Sequence, residues 1–138
     1  MPASYSGTPL AKKLGVKSGD RIWLTGAPTK WSIEGMPSNV KIVRRRRSRT
    51  SDVVVAFVRD LKSLRSSLDT FAKSITVDGS LWIAWPRRAG GHVSDISDND
   101  VRSAVLPLGL VDVKVAALDN DWSALKMMWR NELRGNRR

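Results

Sequence analysis

Short apolar runs separated by amphipathic stretches are the dominant pattern along the chain. Runs typical of buried strands occupy residues 21–25, 40–43, 53–58 and 81–85. The run at 53–58 is continuously apolar, as expected of a strand covered on both faces of a parallel sheet. Because these runs alternate with helical patterns, the sequence predicts an α/β fold with right-handed crossovers and helices on the faces of the sheet.

The clearest helix begins after Asp60, whose side chain can cap its first turn. Its apolar positions recur every three or four residues and predict one buried face, formed by Leu61, Leu64, Leu68, Phe71, Ala72 and Ile75. Residues 77–80, Val-Asp-Gly-Ser, then predict a turn into the run at 81–85, which Pro86 ends.

Two shorter helices are predicted in the first third of the chain. Thr8 is the expected N-cap of the first, with Pro9 at its first helical position and Gly15 at its end. Residues 29–36 predict a brief helix that carries Trp31.

The last third of the chain predicts a helix followed by a β-hairpin. Ser97 is the expected N-cap of the helix, and Gly109 marks its exit. Residues 110–118 alternate as a strand does, with one face formed by Val111, Val113, Val115 and Ala117. Residues 119–121 make the turn, and residues 122–130 return as the second strand.

Composition limits the range of functions. A length of 138 residues, 41% hydrophobic and 27% charged, suits one globular domain. We expect this domain to span residues 8–130, between a flexible N-terminus at 1–7 and a frayed basic tail at 131–138. The absence of cysteine excludes disulfides, thiolate metal sites and cysteine nucleophiles. Without an apolar leader or a membrane-length apolar run, a cytoplasmic location and no membrane partner are expected.

Basic residues exceed acidic ones by 24 to 13, which gives a formal net charge of +11. Such a field attracts polyanions. The tract Arg44–Arg47 follows the second apolar run, and Arg87 and Arg88 follow the fourth, where Gly90 and Gly91 allow close backbone approach. These arginines can hydrogen-bond phosphates, and one after a second strand also suits the 2′-phosphate of NADP. The alternatives are a solvated basic loop and a flexible glycine-rich connection.

The stretches "LAKKLGVKSGDRIWLTG", "SDVVVAFVRD" and "VDGSLWIAWP", together with the closing hairpin, resemble the Rossmann-like fold of S-adenosylmethionine-dependent methyltransferases. The phrases "YSGTPLAKKLG", "LWIAWP" and "LPLGLVDVKVAALDNDWSALK" also resemble a family of small bacterial proteins with no assigned function. The resemblance implies a compact three-layer α/β domain. Its sheet would be mostly parallel, would end in an antiparallel hairpin, and would lack one strand and two helices of the full methyltransferase core.

The residues at the cofactor position depart from that pattern. A cofactor loop needs several glycines, whereas the bend Thr25-Gly26-Ala27 has one and is followed by Pro28, which has no N–H to donate. The next strand should end in a carboxylate that accepts hydrogen bonds from the ribose hydroxyls, but Arg44 is at that position. S-adenosylmethionine is therefore not expected to bind well. The nine residues 44–52 are also short for a parallel crossover, so they cross in extended form or residues 40–46 pair differently.

Candidate catalytic and metal-binding side chains are few. His92 is the single histidine, and a role as general base would need Asp60 or Asp95 nearby, so an ordinary loop histidine is expected. The aspartates lack the spacing of a calcium loop. Of the six tryptophans, Trp23, Trp82, Trp85 and Trp129 lie in predicted strands and suit core packing, while Trp31 and Trp122 are nearer to loops and better candidates for exposure.

The sequence thus predicts a non-catalytic binding or regulatory module whose basic strand edge contacts nucleic acid or a phosphorylated small molecule. Its anion-binding residues would be Arg44, Arg45, Arg46, Arg47, Arg87 and Arg88, and the pocket backbone would be Thr25, Gly26, Ala27, Gly90 and Gly91. One alternative is a methyltransferase with an altered cofactor loop. Another is an oligomeric assembly subunit that pairs through its hairpin, with residues 123–130 as an edge strand.

Overall fold

The computed structural model describes residues 8–45 and 49–135. In chain order, its helices and strands are α1 (Leu10–Leu14), β1 (Arg21–Thr25), β2 (Lys41–Val43), β3 (Ser51–Phe57), α2 (Leu61–Lys73), β4 (Ile75–Pro86), α3 (Asp98–Val105), β5 (Leu110–Ala117), β6 (Trp122–Trp129) and α4 (Asn131–Gly135). Single 3-10 turns lie at Arg88–Gly90 and Leu106–Leu108. Helix α4 occupies part of the stretch expected to be a frayed tail.

One mixed sheet contains the six strands, in the order β2-β1-β3-β4-β6-β5. Strand β1 pairs in parallel with β2 and β3, and β3 pairs in parallel with β4. Strand β6 runs antiparallel to both β4 and β5. The predicted fold class, a mostly parallel sheet closed by an antiparallel hairpin, is confirmed.

Strand β3 lies at the centre of the core because its side chains alternate between the two faces of the sheet. Val54 and Ala56 belong to a cluster packed under α2 and α3, whereas Val53 and Phe57 belong to a second cluster packed under α1 and residues 26–40. Helices and loops on both faces give three layers. Burying a large apolar side chain contributes about 1.5–3 kcal/mol, so a strand buried on both faces stabilises the fold strongly.

Strand β2 forms one edge of the sheet and pairs in parallel with β1, with Lys41 opposite Arg21 and Val43 opposite Trp23. The sequence left two alternatives for this stretch, a parallel strand or a different pairing, and the structure shows the parallel strand. Strand β3, the next strand along the chain, lies on the other side of β1. Residues 46–48, which include the predicted anion-binding Arg46 and Arg47, lie outside the described part of the chain.

Two helix predictions near the N-terminus are wrong in detail. Helix α1 begins at Leu10, and Pro9 takes the N-cap position with an extended ψ of 144°, one residue later than expected. Its end at Gly15 is confirmed. Residues 29–36 form turns instead of a helix. Trp31 packs onto the second core cluster there, so tertiary contacts fix this loop without a helix.

The predicted turn at residues 77–80 is wrong, because β4 runs without interruption from Ile75 to Pro86. Ile75, expected on the helix, pairs with Ser51, and the pairing shifts so that Ser80 meets Val53. The Val-Asp-Gly-Ser stretch is therefore an irregularity inside a long strand. A short stretch of polar residues with a glycine is compatible with either a turn or a bulge. Which of the two forms depends on how the neighbouring strand pairs with it.

Two predictions about hairpin β5–β6 are wrong: which valines of β5 share a face, and which of its strands lies at the edge of the sheet. A register shift between Asp112 and Lys114 sets Val111 opposite Met128 and Val115 opposite Leu125, so these valines lie on opposite faces of the sheet. Strand β6 lies between β4 and β5, which makes β5 the edge strand in place of residues 123–130. None of the helices in the described part of the chain is long and apolar enough to cross a membrane.

The N-terminus of α3 offers a test of local stability. Ser97 and Asp100 form a reciprocal capping box, in which the Ser97 hydroxyl accepts from Asp100 N at 3.3 Å and the Asp100 carboxylate accepts from Ser97 N at 2.9 Å. We expect Ser97→Ala to lower the free energy of unfolding by about 1 kcal/mol, measured by urea denaturation. Ser103→Ala, at an exposed position of the same helix, should leave it nearly unchanged. Equal losses in both variants would contradict the cap.

Candidate functional site

The carboxyl ends of four strands meet at one edge of the sheet, because β1, β2, β3 and β4 are mutually parallel. Strand β6 runs the other way, so its first residue, Trp122, pairs with the last residue of β4, Pro86, at the same edge. Segments that leave the parallel strands and the turn that precedes β6 therefore converge here. In open α/β sheets this is the edge at which ligands bind. We call it the carboxyl edge.

Arginines follow three of the converging strands. Arg44 and Arg45 are exposed after β2, Arg59 is exposed after β3, and Arg87 and Arg88 follow β4. Within residues 8–45 and 49–135, none of these five guanidinium groups lies within 4 Å of a carboxylate. The structure therefore brings the described part of both predicted arginine sets to one edge.

Arg59 was missed from the sequence, and the structure gives it a central position. Its Nη1 donates to the carbonyl of Gly26 at 3.3 Å, and its guanidinium carbon lies 5.3 Å from the Trp122 ring centroid. Its place directly after the 53–58 run was the available signal, since residues that leave a parallel strand reach the carboxyl edge.

Backbone contacts hold the neighbouring arginine segments in place. The Arg44 carbonyl accepts the indole N–H of Trp23 at 3.3 Å, and Arg88 Nη2 donates to the carbonyl of Ser94 at 2.9 Å. Arg87 N donates to Asp121 O at 2.8 Å. Adjacent strands lie about 4.8 Å apart, so the arginines after β2 and those after β4 leave strand positions separated by about 14 Å.

A cleft of about 450 Å³ opens at the carboxyl edge between the end of β3 and the β5–β6 turn, lined by Arg59, Pro86, His92, Val93, Asp121 and Trp122. His92 Nε2 lies 2.9 Å from Asp121 Oδ1. The expected partners of His92 were different residues, and each has another role. Asp60 accepts from Ser63 N at 2.7 Å, which lowers its pKa, and Asp95 accepts from Leu61 N at 3.1 Å.

Three aromatic rings pack in a row beside the cleft, and one of them, Trp122, lines it. Trp31 packs edge-on against Phe57 with centroids 4.8 Å apart, and Phe57 packs likewise against Trp122 at 4.9 Å. The Trp31 indole also donates to Asp119 Oδ2 at 3.0 Å. Trp122 is 8% exposed, so the expectation that its side chain is exposed is wrong. This aromatic row ties the loop after β1 to β3 and to the hairpin.

The glycines of the predicted pocket backbone face other parts of the chain. A Cβ on Gly26 would lie 2.5 Å from the Phe57 carbonyl oxygen, and a Cβ on Gly90 would collide with the Asn120 carbonyl oxygen. Thr25 pairs with β3, and Ala27 packs onto the second core cluster. Gly91 alone of these glycines faces open space. Packing within the chain explains Gly26 and Gly90, and their approach to a ligand stays a prediction.

Several solved structures with the same architecture are methyltransferases. A ribosomal protein methylase from Lactobacillus delbrueckii subsp. bulgaricus matches with TM-score 0.56 and 10% identity over 88% of this chain and 75% of its own. The glycopeptide N-methyltransferase MtfA matches with TM-score 0.56 and 9% identity over 86% and 87% of the two chains. NodS, an N-methyltransferase from Bradyrhizobium japonicum in complex with S-adenosyl-L-homocysteine, matches with TM-score 0.52 and 13% identity over 91% and 90%.

These similarities establish the fold. The chain has a Rossmann-like, methyltransferase-like architecture. No protein-family model matches the sequence, and no curated protein matches it. At such low identity, function has to be judged from the residues at the carboxyl edge.

Those residues do not fit S-adenosylmethionine. Gly26, the single glycine of the bend after β1, is held against the Phe57 carbonyl, and Pro28 offers no N–H to a ligand. The strand that should end in a ribose-binding carboxylate, β2, ends at Val43 and continues into Arg44 and Arg45. The described residues also contain no group of three or more His, Asp or Glu side chains able to hold a metal ion.

Gly26 can be tested against Gly91, because both have a positive φ, of 74° and 91°, but only Gly26 has a neighbour in the way. Gly91→Ala should cost about 1–2 kcal/mol of unfolding free energy, the cost of a left-handed backbone alone. Gly26→Ala should cost clearly more, because Phe57 must also move. Denaturant unfolding measures both, and equal losses would show that the Phe57 contact is unimportant.

Proposed function

We propose that this protein is a non-catalytic binding module whose carboxyl edge holds a phosphate-bearing partner, with nucleic acid as the favoured form. The observation that carries the proposal is the convergence of five arginines without carboxylate partners, among the described residues, on the edge of the sheet. Guanidinium groups bind phosphates through paired, charge-assisted hydrogen bonds.

The spread of these arginines favours a chain of phosphates over a single one. Arg44 and Arg45 leave the sheet about 14 Å from Arg87 and Arg88, given the usual spacing of strands. A polynucleotide presents phosphates repeatedly along its backbone, so each arginine pair can contact a phosphate of its own. The net charge of +11 adds long-range attraction for such a polyanion.

A phosphorylated small molecule is the second candidate ligand for the same arginines, and the cleft supports it. Its volume of about 450 Å³ is within the range of small-molecule sites, and Arg59 and His92 line it. A small ligand would contact this central region and leave the outer arginines of β2 unused. The two forms therefore differ in which arginines they require.

The non-catalytic part of the proposal rests on the chemistry of the carboxyl edge. His92 is held by Asp121, and the residues that line the cleft with it include no serine, threonine or lysine that it could activate as a nucleophile. The loop after β1 and the end of β2 do not suit the cofactor that methyltransferases use.

Salt-dependent binding tests the nucleic-acid form. We expect labelled single-stranded RNA or DNA to bind with an affinity that falls steeply as salt rises, measured by fluorescence anisotropy. Arg44→Ala with Arg45→Ala, and separately Arg87→Ala with Arg88→Ala, should weaken binding and reduce the salt slope by about 1 for each phosphate that the protein no longer binds. The control, Lys41→Ala with Lys73→Ala, removes two positive charges, one at the start of β2 and one at the end of α2 shortly before β4, and should have a smaller effect.

Equal effects of all three double variants would mean that net charge alone explains the binding, and would contradict a site at the carboxyl edge. If a nucleoside phosphate binds and only the Arg87–Arg88 pair matters, the small-molecule form is correct. No binding of either probe at low salt would remove both forms.

Calorimetry with S-adenosylmethionine tests the non-catalytic part. We expect no saturable heat up to millimolar ligand, because the carboxylate and the glycine-rich loop that would hold the nucleoside are replaced. S-adenosyl-L-homocysteine should be equally silent. Saturable binding of either compound would favour the alternative of a methyltransferase with an altered cofactor loop.

A further inference from the structure

Two lysines meet on the sheet face that carries α1, away from the carboxyl edge, and a third lies near them. Lys114 of β5 and Lys126 of β6 are direct cross-strand partners, and Lys126 is in turn the partner of Trp82 on β4. These three side chains therefore stand side by side on one face. Lys17 follows α1 and lies close enough for its charge to lower the pKa of Lys126. We call Lys17, Lys114 and Lys126 the lysine cluster.

The cluster is organised around the indole of Trp82. The ammonium nitrogens of Lys114 and Lys126 lie 5.7 and 5.9 Å from its ring centroid. Trp82 is fully buried, and its indole N–H donates to the carbonyl of Leu14 at 3.2 Å. The ring and the end of α1 thus fix where the two ammonium groups sit. A further lysine, Lys13, ties α1 to β5 by donating to the Ala117 carbonyl at 3.0 Å.

The charges of the cluster have no local compensation. Within the described ranges, no carboxylate lies within 4 Å of any of its three ammonium groups. The carboxylate of Asp20 is engaged by the backbone N–H of Lys17 at 2.8 Å. Burial lowers the pKa of Lys126, and the charges of Lys114 and Lys17 lower it further.

Like charges directly opposite each other on neighbouring strands destabilise a sheet. The aliphatic stems of Lys114 and Lys126 cover Trp82, but an uncharged long side chain would do so without repulsion. Lys17 and Lys114 are exposed, so the ammonium groups can be reached from solvent. A bound anion would attract each of the ammonium groups and so offset the repulsion among them.

We propose that the lysine cluster binds a doubly charged phosphate group, presented as inorganic phosphate or as a phosphomonoester. Three ammonium groups supply enough charge for a dianion, and lysines bind phosphate as point charges without needing the planar fork of arginine. The site stands independently of the proposed function at the carboxyl edge, because none of its residues takes part there.

Thermal unfolding at pH 8, with phosphate and chloride compared at equal ionic strength, tests the proposal. A phosphomonoester carries close to two charges at this pH. We expect inorganic phosphate and glycerol phosphate each to raise the unfolding temperature of the wild-type protein in a saturable way. The tighter of the two identifies whether a free anion or an ester group is preferred.

Lys114→Met and Lys126→Met keep a long stem over Trp82 while removing one charge. Each variant should lose most of the phosphate-dependent rise, and in chloride each should be at least as stable as wild type because repulsion is relieved. Lys62→Met, on an exposed position of α2, should keep the full rise. Lys114 is itself exposed, so Lys114→Met keeps the test valid if the more buried Lys126→Met fails to fold.

Three results would overturn the proposal: no saturable rise in wild type, an unchanged rise in Lys114→Met, or an equal loss in Lys62→Met. Arg87→Ala with Arg88→Ala separates this site from the carboxyl edge. If the rise survives in that variant and is lost in Lys114→Met, phosphate binds at the lysine cluster whatever the fate of nucleic-acid binding. If the rise disappears there and persists in Lys114→Met, phosphate binds at the carboxyl edge and the proposal is wrong.

Discussion

The pairing of β3 with β4 is the constraint on which the rest of the structure depends. Both strands are buried between two layers, and their parallel alignment fixes where their carboxyl ends lie. Because β1 is parallel to β3, and β6 is antiparallel to β4, the loops after β1 and β3 and the start of β6 reach the same edge. The positions of Arg59, Arg87 and the cleft all follow from this alignment. The surface chemistry can vary without disturbing it.

The methyltransferase-like fold and the position at which such folds bind a cofactor depend on different residues. The fold depends on apolar strands and the packing of α2, α3 and α1 against them. The cofactor position depends on a few residues after β1 and β2. In this chain the loop after β1 is fixed by Trp31, which packs on Phe57 and donates to Asp119. Contacts within the chain thus stabilise a loop whose counterpart in cofactor-binding proteins is shaped around a ligand.

Much of the architecture could be predicted from the sequence, because hydrophobic periodicity is a local signal. The strand at 21–25 and the caps at Asp60 and Ser97 were found correctly for this reason. The bulges in β4 and β5 were missed, since a register shift depends on the partner strand as well as on the strand itself. The same limit explains the wrong turn at 77–80 and the wrong shared face of Val111 and Val115.

The placement of the described arginines at one edge of the sheet was predicted in outline, and their role in anion binding stays a prediction. The arginines after β2 and β4 were identified because residues that leave parallel strands share an edge, and Arg59 follows the same rule although it was passed over. The pairing of His92 with Asp121 could not be predicted, since 29 residues separate them and the 3-10 turn at Arg88–Gly90 brings them together. The lysine cluster shows the same limit, because Lys114 and Lys126 become neighbours only through the register of β5 on β6.

The register shift between Asp112 and Lys114 also has a consequence for the outer border of the sheet. An incoming strand needs a straight row of free backbone donors and acceptors, and an irregular, charged outermost strand interrupts that row. At the opposite border β2 offers only three residues before two arginines begin. Both borders are therefore poor templates for strand addition, which protects a strongly apolar sheet from growing into aggregates.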